Sequence, residues 1–73
     1  MQINDFTIRA YGFQELALLY FPNSTPKSAS AQLKKWISHP MLMDQLVPAG
    51  YHSGQKIFTP RQVAIIVGHL GEP

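Results

Sequence analysis

The chain contains no cysteine, which excludes disulfides, thiolate metal sites and cysteine nucleophiles. Charge is also scarce. Asp, Glu, Lys and Arg make up 14% of the residues, against about 25% in ordinary globular domains. No long apolar run is present. The longest, Leu16 to Phe21, is far too short to cross a bilayer, which takes about 20 residues. Met1 to Gly12 carries Asp5 and Arg9 without a continuous apolar stretch, so it does not read as a signal peptide. There is no internal repeat, glycine-rich phosphate loop or nucleophile elbow. These absences lead us to expect a cytoplasmic protein with no membrane contact.

What is present is a single domain of 73 residues with 45% apolar residues, enough for a core and too many for disorder. A chain of this size buries only about 60% of the surface it exposes when unfolded, so a homodimer is a reasonable expectation. Phe6, Ile8 and Ala10 alternate with Thr7 and Arg9, which predicts an N-terminal strand or arm within residues 1–12. Phe13, Leu16, Ala17 and Tyr20 then share one helix face, with Gly12 as cap and Pro22 as stop. Thr25-Pro26 starts a second helix to about Ser38, whose inner stripe is Ala29, Leu33, Trp36 and Ile37. Trp36 is therefore read as core. His39-Pro40 ends that helix and restarts a short one through Val47, with Leu42 and Leu46 inward.

The helical part thus spans residues 13–47. Two β-prone pieces around Ser53-Gly54 predict a hairpin over residues 50–58, with Tyr51 packed. Thr59-Pro60-Arg61-Gln62 matches a capping box and opens a final helix over residues 59–71, with Val63, Ile66, Val67 and Leu70 inward. Gly71 is its C-terminal cap, and Gly68 inside it predicts close approach of another backbone. The expected fold is mainly α with a small β-hairpin: a compact helix-turn-helix or winged-helix-like single domain of about four helices.

Catalytic and metal chemistry find no support. His39, His52 and His69 lie in different segments and none pair at i, i+4. Asp5, Glu15, Asp44 and Glu72 are equally scattered. We expect neither enzyme activity nor a cofactor or metal.

The net charge of +2 is uneven. Residues 1–24 sum to −1, residues 25–61 to +4 and residues 62–73 to −1. Lys27, Ser28, Lys34, Lys35 and Ser38 fall opposite the apolar stripe of the second helix, which carries no acid. Lys56 and Arg61 lie in the hairpin and at the start of the last helix. Such a set can reach phosphates and base edges of double-stranded DNA. The plain alternative is a solvated face. The short third helix carries Asp44 and no Lys or Arg, so phosphate repels it and the second helix is the better recognition element.

Glu15-Leu16-Ala17 followed by a short turn and a capped helix ending in Trp36-Ile37 resembles a helix-turn-helix unit. The predicted hairpin and Phe58-Thr59-Pro60-Arg61-Gln62-Val63 resemble the wing and trailing helix of excisionase-like and MerR-like domains. That resemblance implies DNA binding by the second helix.

A closer resemblance runs from Phe6-Thr7-Ile8-Arg9 through Leu19-Tyr20-Phe21-Pro22, Trp36-Ile37 and Phe58-Thr59-Pro60 to Leu70-Gly71-Glu72-Pro73. It is to a family of small uncharacterised proteins of Bacteroidales, often found near phage-like or mobile elements. It implies a fold-sized pattern and no catalytic residues. The competing function is a protein-interaction or assembly module without nucleic-acid binding. Met41, Met43 and Val47 would form its partner surface, unless the methionines fill the core instead.

Overall fold

Proline sets three of the four helix starts, because its missing N–H is harmless in a first turn and its ring pre-sets φ. The computed structural model describes residues 6–73. Residues 1–5 of the expected arm lie outside that range. The elements run β1 (Tyr11–Gly12), α1 (Phe13–Tyr20), α2 (Pro26–Ile37), α3 (Pro40–Leu46), β2 (Ile57–Phe58) and α4 (Pro60–Leu70). The residue before each proline caps the helix. Thr25 Oγ1 accepts from Ser28 N at 3.2 Å, and His39 Nδ1 accepts from Met41 N at 3.3 Å. Thr59 Oγ1 accepts from Gln62 N at 3.2 Å. The first helix lacks proline and uses Glu15, whose Oε1 accepts from Gly12 N at 3.1 Å. Its other oxygen takes Arg9 at 3.1 Å. The Arg9 hydrogen bond, then the Gly12 amide, hold the Glu15 carboxyl below its usual range.

The apolar stripes meet in one core. Leu16 and Ala17 come from α1, Ala29, Leu33 and Ile37 from α2, Leu42 and Leu46 from α3, and Val63 and Ile66 from α4, closed by Tyr11, Tyr51 and Phe58. Burying each large aliphatic side chain stabilises by about 1.5–3 kcal/mol. Phe13 stacks on Phe58 at 5.0 Å where α1 and α4 begin. The Tyr20 hydroxyl donates to the Gly71 carbonyl where they end. The start and the end of α1 are therefore each tied to the corresponding end of α4. The fold is mainly helical, with four helices and one antiparallel pair of short strands, as expected. Among the described residues no helix is long and apolar enough to cross a membrane.

The location of the strand pair corrects two expectations. Residues 50–58 do not pair with themselves. Ser53-Gly54 forms a turn in which Gln55 N donates to His52 O at 3.2 Å, with Gly54 at φ +84. The strand that follows pairs instead with the N-terminal segment, Tyr11 opposite Phe58 and Gly12 opposite Ile57. Phe13 N extends the ladder to Lys56 O at 2.8 Å. Stacking of Phe58 on Phe13 and on Tyr51, at 6.1 Å, rewards this long-range partner. The second correction is at residues 6–10, which form no strand. Phe6 stacks on Tyr11 at 5.3 Å, while Ile8 and Ala10 face solvent. The alternation there does not report a buried face.

Between α3 and β2 the chain is irregular, and one side chain organises it. Gln62 is 1% exposed. Its Oε1 accepts from Thr59 N at 3.0 Å, completing the expected capping box, and also from Gln55 Nε2. Its Nε2 donates to Ala49 O at 3.2 Å. Gln55 Nε2 reaches on to Ile57 O at 2.6 Å, and its Oε1 accepts from His52 N at 3.3 Å. Two amides thus pair with backbone groups of Ala49, His52, Ile57 and Thr59 along the connection. Gly50, at φ +94, sits 3.9 Å from Gln62 Nε2 when a Cβ is placed on it, so the turn beside this amide also favours glycine.

Gly71 caps α4 as expected, with φ +84 and its N–H on Val67 O at 2.8 Å. Gly68 does not approach another backbone. A Cβ placed there meets nothing within 4 Å, and the residue is exposed. Gly68→Ala should therefore raise stability by up to about 1 kcal/mol, read as a higher thermal midpoint. Gln62→Ala should lose about 2–4 kcal/mol in urea unfolding, because it removes a cap and strands the Ala49 carbonyl and the Gln55 amide.

Candidate nucleic-acid interface and the adjoining groove

The outward arc of α2 follows from its inward one. Ala29, Leu33 and Ile37 are buried. At about 100° per residue, Lys34, Lys27, Ser38, Ala31, Lys35 and Ser28 then span roughly 120° on the far side. All six are exposed. Lys27 and Lys34 sit almost in line, about 10 Å apart along the axis. Ser28 is partly committed, since its Oγ accepts from Gln32 Nε2 at 3.3 Å while its O–H is left to donate. Lys34 and Lys35 lie in the last turn, where the helix dipole favours cations. Ser38 closes that turn by donating to Lys34 O at 2.7 Å.

Lys56 and Arg61 are also exposed but belong to a different end of the molecule. Lys56 is held by its carbonyl, which accepts from the first amide of α1. Arg61 is in the first turn of α4. From Arg61 to His69, which stands beside Lys35, α4 runs about 12 Å. The structure therefore gathers Lys27, Ser28, Lys34 and Lys35 on one helix and sets Lys56 and Arg61 apart as a pair. Among the described residues, none of the five cations has an ion-pair partner. Arg9 differs: it is held by Glu15 at 3.1 Å and lies 3.8 Å over the Tyr11 ring.

Trp36 corrects the core expectation, being 45% exposed. It lies about 60° from the centre of the buried stripe. The end of α1 reaches it only with Tyr20 and the following Phe21. Phe21 and Tyr20 meet the indole edge-to-face at 4.7 and 6.2 Å, and its remaining surface opens onto a groove. This groove, of about 700 Å³, runs between the ends of α2 and α4 and the start of α3. Leu42 and Leu70 line it together with Trp36 and Met41, and Lys35, Ser38, His39 and His69 supply its polar atoms. Met41 is 65% exposed.

The expected partner surface of Met41, Met43 and Val47 does not form as one patch. Met43 packs against the core, and Val47, although 56% exposed, does not line the groove. Met41 opens to the groove, whereas Met43, two residues on, falls on the opposite side of α3 and turns inward. Nothing in the local sequence signals the groove, because Lys35 and His69 are far apart along the chain. Among the described residues no group of acids and histidines is placed to hold a metal ion.

A family model described as a domain of unknown function, DUF4248, matches residues 7–73. No curated protein and no solved structure matches the chain.

Burial, with the charge of Glu72 second, pushes the Tyr20 phenol from the usual value near 10 up to about 12. The unfolded chain ionises this phenol first, so the stability its neutral form contributes is present below pH 10 and lost as pH rises towards 12. Tyr51 is shifted the same way by burial. Urea midpoints should fall across this window, and Tyr20→Phe should fall less steeply than the parent.

Proposed function

The chain belongs to the DUF4248 family, a domain of unknown function, and we propose that it binds double-stranded DNA through α2. The observation that carries this reading is the far side of α2. Three exposed lysines without ion-pair partners share an arc with two serines and no acid. Its apolar stripe is seated in the core, so the arc is presented on a rigid element. α1 and the short link at residues 21–25 support it in the order of a helix-turn-helix unit. Lys56 and Arg61 sit at the other end of α4 and touch flanking phosphates in this reading. Segment 50–58 then acts as a short turn beside the duplex, held by β1, in place of a free wing. A cytoplasmic location accords with DNA as the partner. So does the resemblance to small Bacteroidales proteins near phage-like or mobile elements.

The cations are few, so affinity is modest and dominated by phosphate. With three to five phosphates neutralised, log K should fall against log salt with a slope of roughly −3 to −4.5. Fluorescence anisotropy of a labelled mixed-sequence duplex reads this directly. Lys34→Glu combined with Lys35→Glu should abolish binding, and Lys56→Glu should flatten the slope by about 1. Absence of binding at about 50 mM salt, where phosphate contacts are strongest, overturns the reading. So does full binding by the double variant.

A further inference from the structure

Beyond the α2 surface, we infer that the groove between α2, α3 and α4 takes a protein segment carrying an apolar side chain next to an Asp or Glu. Its floor is apolar, made by Trp36, Met41 and Leu70 over the buried Leu42. Lys35 brings a full positive charge, and among the described residues no carboxylate lines the groove. Asp44 lies one turn along α3 from Met41 without lining it, and Glu72 acts on Tyr20.

One of the two imidazoles is oriented as a donor. His39 Nδ1 accepts the Met41 N–H at 3.3 Å, which leaves Nε2 to carry the proton. The His69 ring is held by the Gln45 side chain, 2.7 Å from its Nε2. An apolar floor beside one cation and one N–H donor matches an apolar anchor flanked by a carboxylate. The groove is open along its length. It would leave a small free ligand largely wet, whereas an enclosing pocket buries about 70–90% of one. A side chain projecting from another protein does not need that enclosure. The exposure of Trp36 and Met41, two large apolar side chains on one groove, is the surface such an anchor would cover.

The test uses the full chain and a capped pentapeptide with leucine and phenylalanine flanked by aspartates. Trp36 is the only tryptophan and lines the groove, so its emission reports occupancy there and the amide spectra locate it. The acidic peptide should give a saturable blue shift. In amide NMR spectra the perturbations should cluster on residues 35–42 and 69–70. Met41→Ala removes most of the apolar anchor site without changing the charge beside Lys35. It should weaken peptide binding about tenfold or more. It should leave duplex affinity and the circular-dichroism melt unchanged, which separates this inference from the α2 reading.

Four outcomes overturn it. One is no saturable shift. A second is equal binding of the same peptide with lysines in place of the aspartates. A third is the same shift produced by raising protein concentration alone, which would assign the groove to a second copy. The fourth is the same shift produced by duplex DNA.

Discussion

A buried carboxamide must find partners for both its oxygen and its nitrogen, or it costs about 1–3 kcal/mol for each group left unpaired. Gln62 meets that demand with the Thr59 amide, the Gln55 side chain and the Ala49 carbonyl. In doing so it links the first turn of α4 to the irregular connection between α3 and β2. The strand Ile57–Phe58 follows directly from Gln55 and Lys56, so its height on the molecule depends on this amide. Through that strand so do the pairing with Tyr11–Gly12 and the amide of Phe13 that opens α1. The polar centre of a small core thus sets where three elements begin.

α1 packs mainly on α2 and is tied to α4 at both ends. Phe13 against Phe58 ties one end, and Tyr20 against Gly71 ties the other. α2 and α3 complete the core from the remaining sides. At the Trp36 end of α2 only Tyr20 and Phe21, at the end of α1, meet the indole, and it stays half exposed. α2 borders both surfaces of interest. The far side of α2 faces outward with its lysines, and its C-terminal end opens into the groove. Lys35 belongs to both, at the boundary between a charged arc and an apolar floor.

Helices were legible because their signals are local. Thr25-Pro26, His39-Pro40 and Thr59-Pro60 each place a cap acceptor and a proline in adjacent positions, and the structure starts a helix at each. The buried stripe of α4 followed from spacing alone, and so did the basic arc of α2. Strand pairing was not legible. Ser53-Gly54 makes the expected turn, yet the strand after it prefers Tyr11–Gly12, because the aromatic stack lies there. Gly68 misled in the same way: a costly residue in a helix implied a close neighbour, and the space beside it is open.

By itself the sequence determined the four helices, the Thr25, Thr59 and Gly71 caps, most of each inward face and the absence of acid on α2. These depend on rotations of about 100° per residue and on hydrogen bonds within one turn. Only the tertiary structure decided which strand pairs with which, that Trp36 stands half out of the core, and that Lys35, His39, Met41 and His69 border one groove. Those outcomes depend on how far one helix extends over another, and on contacts between segments tens of residues apart. Such distances are set by packing the whole core at once.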